Sequence, residues 1–326
     1  MDEFDFITKL KPSHTFQENI KVGIGDDAAV YDPSISKSQV VCVDTMVEGV
    51  HFLKHLSSPQ EVGYKALAVN ISDIAAMGAI PLYYLVSIAI PSSWQEQELL
   101  GVFKGMAELA ETHKMDLIGG DTVATTDKLT LTVTVIGEVE RHVRLLRSEA
   151  KEGDIVFVTG FIGDSSAGLA ILLNQITIDP NFDSDYLVRR HKRPVPRVKA
   201  GRLIAKVNRA SLNDISDGLA SELHEIAEAS QIGITINKEL LPISGSLSKL
   251  GSKYDTNKWM LYGGEDFELV GTTSFESWQK LSLAFEKEDM KITRIGIVTG
   301  DHTGVRLNNE DREIIVLEKS GYNHFK

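Results

Sequence analysis

Acidic side chains recur in this chain in short turns, beside glycines or at the ends of apolar stretches. They occur in Gly25-Asp26-Asp27, Val43-Asp44-Thr45, Ser72-Asp73, Gly119-Gly120-Asp121, Asp214-Ile215-Ser216-Asp217-Gly218 and Gly263-Gly264-Glu265-Asp266. Crowded carboxylates are costly unless cations hold them. Hard oxygen ligands suit Mg²⁺, which is bound by a few carboxylates together with substrate phosphates. The pattern predicts a magnesium-dependent nucleotide enzyme whose ligands come from several loops.

Each motif also has a simpler structural interpretation. Gly25-Asp26-Asp27 is typical of a hairpin turn, and Asp44 could be solvated at a sheet edge. Ser216 or Asp217 could cap the helix that follows. Asp73 is harder to explain in this way, because it lies in a largely apolar helix with no lysine or arginine within one turn. One shared cation site explains all of these acids with a single assumption.

Composition narrows the class of protein. The 326 residues predict two domains, and the net charge of -12 argues against a broad nucleic-acid surface. Cys42 is the single cysteine, so no disulfide forms within the chain and a reducing compartment is expected. The acidic amino terminus does not resemble a signal peptide, and the run Leu82 to Ile90 is far shorter than the roughly 20 residues that span a bilayer. These features predict a cytoplasmic protein without a membrane partner.

The first half of the chain predicts strands and two long helices. Gln39 to Asp44 and Tyr83 to Ile90 are typical of buried strands, and Leu129 to Val135 alternates apolar residues with threonine. One helix is predicted from Pro59 to Met77. A capping box at Ser93-x-x-Glu96 predicts a second helix that ends at His113.

A break in composition near residues 149–154 separates the second half. It contains a strand over 155–159, a helix over 165–173, a helix just after Asp217 and a strand over 295–298. This alternation predicts an α+β or α/β fold in two domains, 1–148 and 149–326.

Several segments resemble the bacterial thiamine-monophosphate kinases, nearly from end to end. They are Gly23-Ile24-Gly25-Asp26-Asp27-Ala28, Val47-Glu48-Gly49-Val50-His51-Phe52, the stretch Lys65 to Ala79, Ile118-Gly119-Gly120-Asp121-Thr122, Tyr262 to Leu269, and the tail from Gly321 to Phe325. The resemblance implies an ATP-binding superfamily shared with aminoimidazole ribonucleotide synthetase, selenophosphate synthetase and a hydrogenase maturation protein. It also implies a homodimer in which the amino-terminal halves, which bind ATP and Mg²⁺, form a β-barrel between α/β carboxy-terminal halves.

The resemblance also implies roles for particular residues. The magnesium ligands, several ions being expected, fall on Asp27, Asp44, Asp73, Asp121, Asp214 and Asp217. The ATP contacts fall on Gly120, Asp121, Arg147 and Ser216, and the thiamine-monophosphate contacts fall on His51, Glu265 and Tyr322. The family commonly has serine or threonine just before the second aspartate, whereas this chain has Cys42 and Val43. Those two residues are therefore left out of the ligand set.

Some of these residues have simpler interpretations when they are taken alone. His51 could be a satisfied surface histidine, Arg147 a solvated charge and Tyr322 an aromatic that docks the tail. The basic run 189–193 is interpreted as a solvated face with no catalytic role.

The implied reaction is direct phosphoryl transfer from ATP to thiamine monophosphate, which gives thiamine diphosphate and ADP. Its acceptor is a phosphate that is already largely ionised, so neither a covalent nucleophile nor a general base is expected. Two alternatives stay open: a sister enzyme of the superfamily, and a calcium- or nucleotide-binding module. Against them, Cys42 lies in an apolar strand, the chain does not end in cysteine, and no EF-hand spacing is present.

Overall fold

The computed structural model describes residues 3–24, 28–143, 145–309 and 313–321. The chain divides into two compact units. Unit 1 comprises residues 1–74 and 79–141, and unit 2 comprises residues 75–78 and 142–326. The roles that the sequence analysis assigned to domains 1–148 and 149–326 stay predictions.

Three helices and two small sheets make up unit 1. In chain order its elements are α1 (Glu3–Leu10), β1 (Ile20–Val22), β2 (Val30–Tyr31), β3 (Lys37–Val47), α2 (Pro59–Ala76), β4 (Ile80–Pro91), α3 (Glu96–His113), β5 (Asp116–Thr125) and β6 (Thr130–Glu140). Strands β1 and β2 form a hairpin, and the larger sheet has the order β3-β6-β4-β5. β4 and β5 run parallel while the other pairs are antiparallel, so this sheet is mixed.

The alternation predicted around Leu129 to Val135 is confirmed in β6. Leu131, Val133 and Val135 are fully buried, and the threonines between them are half-buried. Side chains on successive strand residues point to opposite faces, so β6 contributes one face to the core. The helix predicted from Pro59 is confirmed as α2.

Strands β3 and β5 are the edges of this sheet among the described residues. Both edges carry exposed apolar side chains, with Val41 62%, Val43 58% and Val123 46% exposed. No closed barrel is present in the described part of this single chain.

The start of α3 corrects the predicted capping box. The helix begins at Glu96, its N-cap residue is Gln95, and the backbone N–H of Gln95 donates to Glu98 over 2.9 Å. Trp94 is 5% exposed, and its indole N–H donates to Glu48. The Ser93-x-x-Glu96 motif was therefore misread by two positions.

Helices and a seven-stranded sheet make up unit 2. Its elements are β7 (Ile155–Thr159), α4 (Asp164–Leu172), α5 (Asp185–Lys192), α6 (Val198–Ile204), β8 (Ala210–Asp214), α7 (Leu219–Ser230), β9 (Gly233–Asn237), α8 (Gly245–Leu250), α9 (Thr256–Tyr262), β10 (Leu269–Thr273), α10 (Phe275–Lys287), β11 (Ile292–Thr299), β12 (Gly304–Asn308) and β13 (Ile314–Val316). Short 3₁₀ turns occupy Arg147–Glu149 and Lys238–Leu240.

The seven-stranded sheet has the order β13-β12-β9-β11-β7-β10-β8. Only the β12–β9 pair is parallel, so this sheet is also mixed. The interior strand β7, between β11 and β10, is buried along its whole length, with apolar clusters on both of its faces. The two-domain α/β class predicted from the sequence is therefore confirmed.

None of the helices in the described part of the chain is long and apolar enough to cross a bilayer.

Candidate active site

Asp44 and Asp73 come together in unit 1. Asp44 lies on β3 and Asp73 lies on α2, and their carboxyl groups share a hydrogen bond. Burial raises the pKa of Asp44, while the hydrogen bond to Asp73 and the nearby His51 act in the opposite direction. Two carboxyl groups at this separation cannot both ionise at low cost without a cation between them. The pair thus has the chemistry of a cation ligand set.

Cys42 fixes the contact between β3 and α2. Its thiol donates to the backbone carbonyl of Asn70 over 3.2 Å. Burial, together with the charges of Asp73 and Asp44, raises the pKa of Cys42 well above its ordinary range. The sulfur is therefore a protonated packing group here, and not a reactive thiolate.

The loop after β3 holds His51. Nδ1 of His51 accepts a hydrogen bond from the backbone N–H of Val47 over 3.0 Å. Glu48 accepts from the indole of Trp94 and from the backbone N–H of Leu129, which ties the same loop to β6. Since Nδ1 is an acceptor, the proton of a neutral His51 lies on Nε2, which is therefore a donor.

Gly120 and Asp121 lie on β5. The register places Asp44 opposite Val133, Val133 opposite Val86, and Val86 opposite Gly120. Three interstrand steps separate Asp44 from Gly120, which is about 14 Å. A Cβ at Gly120 would lie 2.1 Å from the carbonyl oxygen of Val86, so only glycine permits this close approach. Asp121 follows it and is exposed.

The described residues contain no group of three or more histidine, cysteine or acidic side chains arranged to hold a metal ion. Mg²⁺ does not require such a cage, because it is usually held by one or two carboxylates together with substrate phosphates and water. The Asp44–Asp73 pair therefore fits Mg²⁺ better than it fits a metal bound by protein groups alone. Asp27 lies outside the described residues.

A polar cluster in unit 2 surrounds the end of β8. Arg147 donates to Asn213 over 3.0 Å and pairs with Glu225 at 3.0 Å. Asn213 in turn donates to Glu222, which lies in the first turns of α7. Sequence reasoning missed Asn213, Glu222 and Glu225. Their position beside the acidic motif could have identified two of them, because Asn213 directly precedes Asp214 and Glu222 follows the motif at the helix start.

Glu222 is 2% exposed. Burial and the charge of nearby Asp214 raise the pKa of Glu222 to about 8, although the backbone N–H of Asp217 donates to it over 3.1 Å. Asp214, which is 4% exposed, thus belongs to a concentration of buried acid. The carboxyl groups of Asp214 and Glu222, like those of Asp44 and Asp73, thus form a site that favours a cation.

The capping role considered for Ser216 or Asp217 is wrong. The N-cap of α7 is Gly218, whose φ of 122° favours glycine, and no side chain caps the helix. The hydroxyl of Ser216 instead donates to Glu222 over 3.3 Å. Ser216 and Asp217 are half-buried, so a ligand at this helix start could reach both.

The loop that contains Glu265 lies against the Ser216 loop. The backbone N–H of Glu265 donates to the carbonyl of Ser216 over 2.7 Å, and that of Phe267 donates to Ile215 over 2.9 Å. A Cβ at Gly264 would meet the Ser216 carbonyl at 2.5 Å, so the second glycine of the motif permits the contact. The structure therefore brings a predicted nucleotide contact and a predicted acceptor contact together within unit 2.

Two groups of the basic run reach the same region. Arg190 is 9% exposed and His191 is 8% exposed, so the interpretation of this run as a solvated face is wrong for both. Arg190 donates to Glu268 over 2.9 Å. Arg197, which directly precedes α6, donates to the same carboxylate. Nδ1 of His191 lies 3.3 Å from Glu265 and 3.1 Å from Ser165.

A buried carboxylate also anchors the Glu265 loop. Asp266 accepts from the backbone N–H groups of Gly163 at 2.6 Å and Ser165 at 3.1 Å, at the start of α4. Burial raises the pKa of Asp266 to about 7, against the effect of these donors and of Arg190. Glu265 and Phe267 have φ of 65° and 50°, a left-handed conformation that is uncommon for side chains of this size. The contacts of Asp266 on one side and Glu268 on the other hold that strained turn.

Tyr322 lies outside the described residues. Its neighbour Gly321 is so close to Asp217 that a Cβ there would lie 2.3 Å from the Asp217 carbonyl oxygen. The described end of the chain therefore reaches the Ser216–Gly218 loop.

Comparison with known proteins places this geometry in a family. Family models described as AIR synthase related protein, N-terminal domain, and AIR synthase related protein, C-terminal domain, match residues 25–139 and 151–308. Thiamine-monophosphate kinase from Bacillus subtilis (strain 168) is 54% identical over 327 residues, which covers 100% of both chains.

Two solved structures give the same result. The crystal structure of thiamine-monophosphate kinase from Stenotrophomonas maltophilia K279a has a TM-score of 0.83 and 34% identity, and covers 93% of this chain and 95% of that one. A structure of AaThiL complexed with AMPPCP and TMP has a TM-score of 0.79 and 34% identity, and covers 94% and 92%.

Proposed function

The chain belongs to the thiamine-monophosphate kinase family of AIR synthase-related proteins, and on that premise we propose that it transfers the γ-phosphoryl group of ATP to thiamine monophosphate. The products are thiamine diphosphate and ADP. A related structure with an ATP analogue and TMP bound supports both substrates. Within this chain, the observation that carries the proposal is the direct hydrogen bonding between the Ser216 loop and the Glu265 loop.

The carboxylates supply sites for Mg²⁺ in this proposal. Asp44 and Asp73 are the pair in unit 1, with Asp27 and Asp121 as further ligands, and Asp214 and Asp217 act in unit 2. When bound, magnesium neutralises the phosphate charge that otherwise opposes the approach of two anions. The shared hydrogen bond and the raised pKa of Asp44 support this assignment, because a cation beside the two carboxyl groups would favour their ionised forms.

Arg147, Ser216, Gly120 and Asp121 are the proposed nucleotide contacts. The guanidinium of Arg147 is held by Asn213 and Glu225 but remains about half exposed, with 53% of its side chain accessible. An arginine held at one edge and open at the other suits a phosphate, because its planar fork binds oxygens in pairs. Gly120 supports close approach to the backbone of β5.

Glu265, His51 and Tyr322 are the proposed acceptor contacts. The thiazolium ring of thiamine monophosphate is a permanent cation, which a carboxylate recognises by charge. Glu265 is held at a fixed position by its strained turn and by His191. The Nε2–H of His51 is a donor suited to a phosphate oxygen, since Nδ1 is already engaged.

Transfer is proposed to be direct and in line. The acceptor phosphate has a second pKa of about 6 and is already ionised at neutral pH, so no side chain is needed to remove a proton from it. Cys42 is half-buried and its raised pKa keeps the thiol protonated, which agrees with a mechanism that has no covalent enzyme intermediate.

We further propose a homodimer whose amino-terminal sheets close into a barrel. The exposed valines on the edge strand β3 and the exposed Val123 on β5 support it, because apolar edges favour pairing with another chain. The separation of about 14 Å between Asp44 and Gly120 also supports it, since pairing β3 with the β5 edge of a second chain would shorten that distance. The reducing compartment expected from the single cysteine remains a prediction.

A coupled ADP-release assay tests the function. The protein is supplied with ATP and Mg²⁺, and the acceptor is thiamine monophosphate, unphosphorylated thiamine, selenide or an aminoimidazole precursor. We expect turnover with thiamine monophosphate at least 100-fold above that with each other acceptor, on the scale by which one buried polar contact discriminates substrates. Equal or faster turnover with another acceptor would overturn the proposal.

A further inference from the structure

A cavity of about 360 Å³ lies in unit 1, away from the carboxylates described above. It is bounded by α3, by residues 9–16, and by the first residues of β5. Its walls are mixed but more apolar than polar, and they include Phe16, Tyr84, Phe103 and Met115. This volume and composition are those of a small-ligand pocket.

The wall formed by residues 14–17 is held in place. Asp116, 2% exposed, accepts from the backbone N–H of Phe16 at 2.8 Å and of Gln17 at 2.8 Å. The side-chain amide of Gln17 donates to the carbonyl of Lys114 over 2.8 Å. The ring of His14 packs edge-on against Phe16 with 4.6 Å between centroids. These contacts fix the position of that wall.

Tyr84 contributes the one polar group of the inner wall that lacks an internal partner. Its side chain is 4% exposed and lines the cavity, and its hydroxyl makes no hydrogen bond with any described residue. Burial and the charge of Asp116 raise the pKa of Tyr84, so the hydroxyl keeps its proton. The hydroxyl oxygen itself keeps access to solvent through the cavity, so it can donate to an acceptor on a ligand there.

The lining of the cavity carries charges of both signs, and two of its lysines lie at the mouth. Lys11 and Lys104 are exposed and have no ion-pair partner among the described residues, whereas Lys9 pairs with Glu96. Glu111 is the opposing charge at the rim, and Asp116 is already satisfied by backbone donors. In a chain of net charge -12, two unpaired lysines over an aromatic cavity favour an anion.

We propose that this cavity binds a small aromatic anion, with its ring between Phe16 and Phe103, a hydrogen-bond acceptor on the Tyr84 hydroxyl, and a carboxylate or phosphate at Lys11 and Lys104. This is a second ligand site on the chain, separate from the residues assigned to ATP and thiamine monophosphate. Both anionic groups would meet the same lysines, so the test includes one probe of each kind.

The experiment measures binding to the full chain by calorimetry and ligand-observed NMR. The probes are 4-acetylbenzoate and 4-acetylphenyl phosphate, whose carbonyl can accept from Tyr84. 4-Isopropylbenzoate has nearly the same shape without that acceptor, and 4-acetylbenzylamine carries the opposite charge. We expect 4-acetylbenzoate or 4-acetylphenyl phosphate to bind about threefold to tenfold more tightly than the isopropyl compound, the range for one hydrogen bond, and the amine not to bind.

Three variants locate the binding. Tyr84→Phe should abolish the preference for the acetyl compound, and Lys104→Gln should weaken every anionic probe. Ala107→Trp, at an exposed position of α3 on the rim, should block the cavity. If Tyr84→Phe fails to fold, which thermal unfolding will reveal, the two surface variants still decide the matter.

Several outcomes would overturn the proposal. Equal binding of the amine, an unchanged acetyl preference in Tyr84→Phe, or no effect of Ala107→Trp would each do so. Displacement of the probes by ATP or thiamine monophosphate would place them at the kinase site instead. Since the readout is binding and not turnover, it does not depend on the proposed kinase activity.

Discussion

Nδ1 of His191 lies 3.3 Å from Oε2 of Glu265, and both side chains are largely buried. Glu265 has the uncommon left-handed backbone conformation, so its carboxylate depends on contacts from elsewhere in the chain for its direction. His191, itself in contact with Ser165, provides one such contact. A group from a basic segment on α5 thus helps to orient the acid proposed to recognise the thiamine cation.

Glu265→Gln should impair use of thiamine monophosphate and leave ATP binding nearly unchanged. The lost charge-assisted contact is worth roughly 1.5–3 kcal/mol, which is about 10-fold to 150-fold in affinity for one substrate only. Calorimetric titration of each substrate measures both affinities. Glu286→Gln, an exposed position on α10, is the matched control and should bind both substrates normally. Equal loss for the two substrates would refute the assignment.

Asp44→Asn and Asp73→Asn should separate stability from activity. Each change removes a charge from an adjoining pair, so in EDTA the variants should melt at or above the temperature of the native protein. Turnover should nevertheless fall by roughly 10²-fold to 10³-fold, because charge stabilisation of the transferring phosphate is lost. Thermal melts with and without Mg²⁺, together with the ADP-release assay, measure both effects.

The exposed Asp289 gives the control for that pair, since Asp289→Asn should change neither quantity. A native protein that gains no melting temperature from Mg²⁺, or variants that keep full turnover at saturating Mg²⁺, would contradict the metal assignment.

Glu222 should make stability depend on pH in the magnesium-free protein. Its pKa is raised from 4.5 to about 8, so the folded state holds this proton more tightly than the unfolded chain does. The stabilisation is fully present below about pH 4.5 and is lost as pH rises through about 8. Between pH 5 and 9, the free energy of unfolding of Glu222→Gln should therefore rise relative to that of the native protein, by an amount on the order of a few kcal/mol.

Urea unfolding in EDTA at several pH values measures this difference. Glu286→Gln should follow the native pH profile throughout. A constant difference between Glu222→Gln and the native protein across that range would mean that Glu222 ionises normally.

Cys42→Ser should keep most of the activity. A hydroxyl can replace the thiol as the donor to the Asn70 carbonyl, and the proposed transfer uses no enzyme nucleophile. Incubation with radiolabelled ATP alone should label neither the native protein nor the variant. A stoichiometric phosphoenzyme that disappears in Cys42→Ser would instead establish covalent catalysis.

Periodic patterns in the sequence were enough to predict some of the regular elements. The apolar alternation of β6 and the long apolar α2 are local properties of the chain, and both are confirmed. The capping box failed because two acids, Glu96 and Glu98, stand close enough together for either to satisfy the pattern. The helix uses Glu98, and the neighbouring Trp94 donates to Glu48, a contact between residues far apart in the sequence.

Burial of the basic run could not be predicted for the same reason. Arg190 and Arg197 are buried or half-buried because both pair with Glu268, which is 0% exposed and more than 70 residues further along the chain. A charge run is solvated by default, and here a distant acid in the loop directly before β10 changes that. Glu222 and Asn213 were missed because their importance depends on burial, and burial follows from the tertiary fold.

The exposed valines of β3 have a consequence for the folding of the newly synthesised chain. Val41 and Val43 stand on an edge strand whose backbone can pair with any other extended segment. In the proposed homodimer a second chain covers that edge, and until it does, folding competes with indiscriminate strand pairing, which rises with protein concentration. Refolding yield should thus be greatest in dilute solution, and a lysine at position 43 would protect the monomer from aggregation while preventing its assembly.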